Sequence, residues 1–127
     1  MKLEGVSLIL FDELGGQQGV RKLVESFYPK VLKDPLLAPL FPKEISSVMD
    51  KQELFLSQFF GGPDLYTAEF GHPRMRARHM PFTITPMHAD AWLSCMSQAL
   101  EETVDSEPLR EAVIERLRVS AYFFVNS

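Results

Sequence analysis

Gly71-His72-Pro73-Arg74-Met75-Arg76-Ala77-Arg78-His79-Met80-Pro81-Phe82 is the stretch on which the reading of this chain turns. It sets a histidine beside alternating arginines and closes on an apolar Met80-Pro81-Phe82 corner. A neutral imidazole is a strong metal ligand, guanidinium groups grip carboxylates, and Met and Phe make a dry wall. Together these are the parts of a site for a flat, apolar, metal-bearing cofactor with acidic arms. The only tryptophan, Trp92, follows shortly after.

Around this stretch the chain reads as helix. Phe11 to Leu14 suggests a short helix stopped by Gly15-Gly16. Val20, Leu23, Val24, Phe27, Val31 and Leu32 keep a 3.6-residue period up to Lys33. Asp34-Pro35 ends that helix, because the residue before a proline disfavours the helical region. Pro35, Pro39 and Pro42 bracket Leu36, Leu37, Leu40 and Phe41, which reads as a turn or single helical turn with its apolar side chains inward. Ser46 is the expected N-cap of a helix running to Phe60, closed by Gly61-Gly62-Pro63.

Residues 61–85 show weak periodicity, with only a short helix over Arg74 to Arg78 expected. A long irregular segment within a compact domain is usually functional, and an apolar one needs something to pack on. Helix returns from Met87 to Val104, with Ala91, Trp92, Met96, Ala99 and Leu100 on one side. A final helix runs from Leu109 to Val125, with Pro108 in its first turn and Leu109, Val113, Leu117, Ala121 and Phe124 on its apolar face. There is no repeat, no low-complexity segment and no convincing strand, so the expected organisation is one all-α domain over residues 1–127.

The bulk properties narrow the function. Hydrophobic residues make up 46% and charged residues 24%, an ordinary globular balance that excludes disorder. Ten phenylalanines imply an aromatic-rich interior or pocket. A net charge of −4 argues against a nucleic-acid surface, which needs a basic field. The single Cys95 allows no internal disulfide and reads as a small buried hydrophobe suited to a reducing compartment. The apolar run from Val6 to Phe11 is too short for a secretory core, and nothing approaches the ~20 apolar residues of a membrane span. These features point to a cytoplasmic protein acting neither on nucleic acid nor in a membrane.

Chemistry shows as polar interruptions of apolar stripes. Gln52 shares a helical face with Val48, Phe55 and Phe59, either at the edge of the stripe or as an amide aimed into a pocket. Tyr28 sits beside Phe27 on or next to a buried face. Trp92 lies within an apolar helix face, and a buried indole N–H needs an acceptor. For each of these aromatics a plain core role is the competing explanation. Of the three histidines, His88 has polar neighbours and reads as solvent-facing, and His72 before Pro73 reads as a turn residue. No second His, Cys or carboxylate stands at zinc-site spacing from His79. A porphyrin brings four nitrogens of its own and needs one protein ligand, which makes haem the first hypothesis. No phosphate loop, nucleophile elbow or HExxH pattern is present.

These residues, with Leu40-Phe41-Pro42, Phe55 through Pro63, Tyr66, Gly71-His72-Pro73, Arg76 through Phe82 and Asp90 through Met96, resemble the truncated haemoglobins, and within them group II. The likeness covers nearly the whole chain. It implies a two-over-two helical sandwich around one haem b, with His79 as the iron ligand. It implies that Tyr28, Gln52 and Trp92 face a diatomic ligand (O2, CO or NO), with Val48 at the gate. It makes Phe41 a neighbour of the haem edge, and Lys51, Tyr66, Arg76 and Arg78 partners of the propionates. Phe55, Met80 and Phe82 complete the implied cofactor contacts. Related members often carry a small or polar residue where Val48 stands. Valine cannot donate a hydrogen bond, so donation rests on Tyr28, Trp92 and Gln52.

Such a site suits oxygen, NO or peroxide chemistry, or scavenging, better than bulk oxygen delivery. NO dioxygenation or peroxidase-like turnover would need a separate reductase, since the chain has no flavin or NAD domain. A monomer or a homodimer is compatible with the sequence. The rivals are a cofactor-free helical interaction module, its arginines meeting an acidic partner, and a non-haem metal protein.

Overall fold

A computed structural model describes residues 9–126, without the side chain of Arg76. The early part of the Val6–Phe11 run lies outside the described residues. Among the described residues seven α-helices follow one another: α1 (Leu10–Glu13), α2 (Gly16–Lys33), α3 (Ser46–Phe59), α4 (Leu65–Phe70), α5 (Met75–His79), α6 (Pro86–Thr103) and α7 (Glu107–Phe123), with a 3-10 turn at Ala38–Leu40 between α2 and α3. No strand occurs among the described residues. No helix among them is long and apolar enough to cross a membrane.

The periodic stripe of α2 is the spine of the core. Val20, Leu23, Val24, Phe27 and Val31 are all fully buried. Gly15 takes a left-handed φ of 100° to turn α1 into α2. Gly19 lets the two helices touch, because a Cβ there would collide with the Leu14 carbonyl oxygen. At the far end Asp34 is extended, as a residue before proline should be, and its Oδ1 accepts the amides of Leu36 and Leu37. Leu37 is buried there. Leu36 is 37% exposed, against the expectation that it points inward.

α2 packs against α3 and α6, and α6 packs against α7. The helices therefore form two pairs, α2 with α3 and α6 with α7, which meet where α2 lies on α6. This is the two-over-two arrangement that the resemblance implied. The buried core cluster draws on α2, α3, α6, α7 and the turns between them, and includes no residue of α4 or α5. Cys95 is buried within it, as expected.

Two sequence expectations need correction. Ser46 is not the N-cap of α3: Ile45 holds that position, and no side chain caps the helix. The Ser46 amide is instead taken by the Glu44 carboxylate at 3.0 Å, and hydrogen bonds from the Ser46 side chain and then its amide draw that carboxyl below its ordinary range. Residues 61–85 are also better ordered than their weak periodicity suggested. They contain α4 as well as α5, and Gln58 on α3 pins α4 by donating to Thr67 Oγ1 at 2.8 Å and accepting its amide at 2.9 Å. His72 is the turn residue expected: its Nδ1 accepts the amide of Arg74, whose φ is 49°.

Candidate functional site

A cavity of about 500 Å³ opens between the two helix pairs and α5. Its wall is mainly apolar, from Leu37, Leu40, Phe41, Val48, Phe55, Leu56, Phe59, Ile84 and Leu117. Into this wall four helices place chemistry-bearing side chains: Tyr28 from α2, Gln52 from α3, His79 from α5, and His88 and Trp92 from α6. Gln52 is therefore a pocket residue and not merely the edge of a stripe.

The His79 ring has its tautomer set by the backbone. Its Nδ1 lies 2.6 Å from the Met75 carbonyl oxygen. A carbonyl can only accept, so Nδ1 carries the proton and Nε2 keeps a free lone pair. This is the state in which imidazole binds metals, with the second nitrogen oriented by a hydrogen bond. On its other face the ring stacks against Phe124.

Tyr28 and Trp92 are held rigidly by aromatic neighbours. Tyr28 packs edge-on against Phe27 at 4.8 Å and Phe41 at 5.8 Å, while Trp92 meets Phe27 at 5.1 Å. Burial pushes the Tyr28 hydroxyl above its ordinary pKa, so it stays a protonated donor. The Tyr28 hydroxyl, the Trp92 indole N–H and the Gln52 amide make no hydrogen bond among the described residues. Polar groups in a largely apolar cavity are costly without partners. Three of them in one cavity mark a place where something else accepts.

The basic residues sit beside this cavity and outside its lining. Lys51 Nζ lies 5.3 Å from the Phe70 ring centroid, and the Arg78 guanidinium lies 5.9 Å from that of Tyr66. Phe70 packs on Tyr66 and Tyr66 on Phe55, which lines the cavity. Lys51 and Arg78 thus flank an aromatic bridge leading inward, and neither pairs with a carboxylate among the described residues. The Arg76 side chain lies outside the described residues.

The Met80-Pro81-Phe82 corner does not form the dry wall of the main cavity. Met80 is 60% exposed and Phe82 43% exposed. Met80 reaches only a smaller cleft of about 240 Å³ that it shares with His79 and Phe124. The wall expected from that corner comes instead from Ile84, Leu117 and Phe124. His88 is corrected as well. It is half-buried and lines the cavity, and its Nδ1 accepts the Thr85 amide at 3.0 Å in a reciprocal cap of α6. The pattern Thr85-Pro86-Met87-His88, an N-cap followed at its third helical position by a side chain that reaches back, carried that signal.

The bacterial-like globin family model matches residues 9–125. The chain belongs to that family. Among curated proteins, the globin is 46% identical over 111 residues to group 2 truncated hemoglobin YjbI of Bacillus subtilis (strain 168), spanning 87% of this chain and 84% of that one. It is 33% identical over 121 residues to two-on-two hemoglobin-3 of Arabidopsis thaliana, spanning 91% and 68%. Among solved structures, the group II truncated hemoglobin from Bacillus anthracis matches with a TM-score of 0.90 at 48% identity, covering 94% of this chain and 92% of that one. The truncated oxygen-avid haemoglobin from Bacillus subtilis matches at 0.87 and 44% identity, covering 93% and 99%.

The globin is thus a group II truncated haemoglobin, and haem b is its cofactor. Membership of this family implies haem-based binding of diatomic gases. The residues present fit that group. The cavity is within the size range of organic-ligand sites. No cluster of three His, Cys, Asp or Glu residues capable of holding a bare metal occurs among the described residues. The backbone-oriented His79 imidazole, beside an apolar cavity and two cations that pair with no carboxylate among the described residues, suits a metal that brings its own macrocycle and acidic arms.

Proposed function

We propose that this globin, as one domain over residues 1–127, binds and holds oxygen and related gases for oxygen, NO or peroxide chemistry or scavenging, and is not a bulk oxygen carrier. The observation that carries this reading is the set of unpartnered donors, Tyr28, Trp92 and Gln52, lining one apolar cavity with His79. Haem b supplies reversible binding of diatomic gases at its iron. His79 Nε2 is the iron ligand, held by the Nδ1 bond to Met75. Lys51, Tyr66, Arg78 and Arg76 would meet the propionates, and Phe41 and Phe55 would contact the macrocycle or its edge.

With haem bound, Tyr28 and Trp92 would donate hydrogen bonds to a gas ligand in the cavity, and Gln52 would add a third donor. A hydrogen bond to a charged group contributes roughly 1.5–3 kcal/mol, and about 1.4 kcal/mol is tenfold in affinity. Two such donors slow release by about a hundredfold or more. Val48 at the gate excludes water without donating. The description of the Bacillus subtilis relative as oxygen-avid agrees with this direction.

As an enzyme the protein would dioxygenate NO or turn over peroxide, drawing electrons from a separate reductase. Its place is the cytoplasm, as a monomer or homodimer. Reduced protein should show a pentacoordinate haem spectrum that shifts with carbon monoxide. Stopped-flow mixing of the oxygenated protein with NO should consume it within the dead time or soon after. A protein that stays folded, gains no Soret band with added haem, and carries zinc or nothing would overturn the reading in favour of a metal protein or an interaction module.

A further inference from the structure

The three residues after α7 grip the proximal side of the cavity from two directions. The Phe124 ring lies flat on the His79 imidazole, with centroids 4.1 Å apart and planes 6° from parallel. Two residues on, Asn126 makes three hydrogen bonds to the strap joining α5 to α6. Its backbone N–H donates to the Ile84 carbonyl at 2.8 Å. Its Oδ1 accepts the Ile84 amide at 2.9 Å, and its Nδ2 donates to the Phe82 carbonyl at 2.9 Å. The strap is itself tied to α5, because the Phe82 amide donates to the His79 carbonyl at 3.0 Å.

These contacts divide the work of holding one ring. The Nδ1 bond to Met75 fixes one edge of the imidazole but does not by itself stop a swing about the Cβ–Cγ bond. The parallel Phe124 ring blocks that swing. Asn126 ties the segment carrying Phe124 to the strap that follows His79. It does so from an exposed position that contributes nothing to the apolar core. Phe124 has no polar atom on its side chain, so its action on the imidazole is orientation alone.

We infer that Phe124 and Asn126 are positioning residues for His79, setting the plane in which its Nε2 meets the iron. This rests on the reading of His79 as the iron ligand. A ring free to rotate samples several angles to the haem, and the strength of the iron–nitrogen bond depends on that angle. The segment after α7 therefore tunes the proximal bond through Phe124 at the cavity wall and Asn126 behind it.

The test uses ferrous haem-loaded protein, as wild type and as Phe124→Leu, Phe124→Tyr and Asn126→Ala. Resonance Raman reads the iron–histidine stretching band, and transfer of haem to excess apomyoglobin reads its loss. Phe124→Leu and Asn126→Ala should shift or broaden the band and hasten haem loss by about tenfold, the lower range for outer-sphere partners of a metal ligand. Phe124→Tyr keeps the stacked ring and should leave the band in place. An unmoved band in both Phe124→Leu and Asn126→Ala overturns the inference, as does a Phe124→Tyr band displaced as far as that of Phe124→Leu. If Phe124→Leu fails to fold, Asn126→Ala decides alone, since its side chain takes no part in the core. Absence of an iron–histidine band in the wild type would sink the assignment of His79 itself, a separate failure.

Discussion

The ring of Phe27 meets the indole of Trp92 edge-on, with centroids 5.1 Å apart and planes at 67°. The same ring braces Tyr28 at 4.8 Å, so donors from α2 and α6 share one fully buried wedge. Removing one donor should be felt at the gas and not in the fold. Tyr28→Phe and Trp92→Leu should each speed oxygen dissociation by about tenfold or more, the loss of one charge-assisted hydrogen bond. Flash photolysis or stopped-flow displacement by carbon monoxide measures this. Unchanged rates in both variants would refute the donor assignment.

Lys51 and Arg78 should hold the acidic arms of haem electrostatically. Both are solvent-exposed, so each contributes only about 0.2–1 kcal/mol. Lys51→Ala and Arg78→Ala should therefore quicken haem loss by no more than a few-fold. The difference from wild type should shrink as salt shortens the Debye length. A salt-independent effect would point to lost packing on Phe70 or Tyr66 instead.

Tyr28 ties stability to alkaline pH. Its folded-state pKa is raised by burial, while the unfolded chain ionises this phenol near about pH 10. Above that pH the unfolded state releases a proton that the folded state keeps, so unfolding is favoured. The stabilising contribution is whole below about pH 10 and is lost as pH rises toward the folded value. Haem-free protein should lose thermal stability more steeply between pH 9 and 11 than Tyr28→Phe does (an interval set by the ~10 of a free phenol). Equal slopes in a thermal-melt series would contradict this.

Gly19→Ala should destabilise the protein although alanine is the better helix former. The added methyl would collide with the Leu14 carbonyl, a backbone atom that cannot swing aside. The overpacking cost of about 1–3 kcal/mol outweighs the gain of about 1 kcal/mol in propensity once the α1–α2 elbow is forced open. Urea titration should place the midpoint of this variant below wild type, and a midpoint at or above it would show that the elbow relaxes freely.

The long helices were legible because their apolar residues recur with the helical period over several turns, as in Val20 to Val31. The cavity residues on them, Tyr28, Gln52 and Trp92, stood out as polar atoms on those stripes. α4 was not legible, since six residues cannot display a period and its order comes from Gln58, a partner on another helix. His88 was misread because its neighbours in sequence are polar, whereas its burial is decided by the Thr85 cap and the packing of α6. Phe124 was recognised as an apolar face residue, but its stacking on His79 depends on the path of the chain beyond α7. The Met80 and Phe82 expectation came from composition and from the family resemblance, and neither sets where a side chain points. Backbone direction turned those side chains outward and left the wall to Ile84 and Leu117.

The absence of α4 and α5 from the core cluster has a consequence for where the protein opens. A five-residue helix such as α5 satisfies few of its own backbone groups and cannot persist on its own. The two helix pairs, by contrast, share one buried interior. Local opening should therefore begin at the segment that carries His79, ahead of the pairs around it. In hydrogen exchange this would show as fast amides over residues 65–79 within an otherwise protected chain.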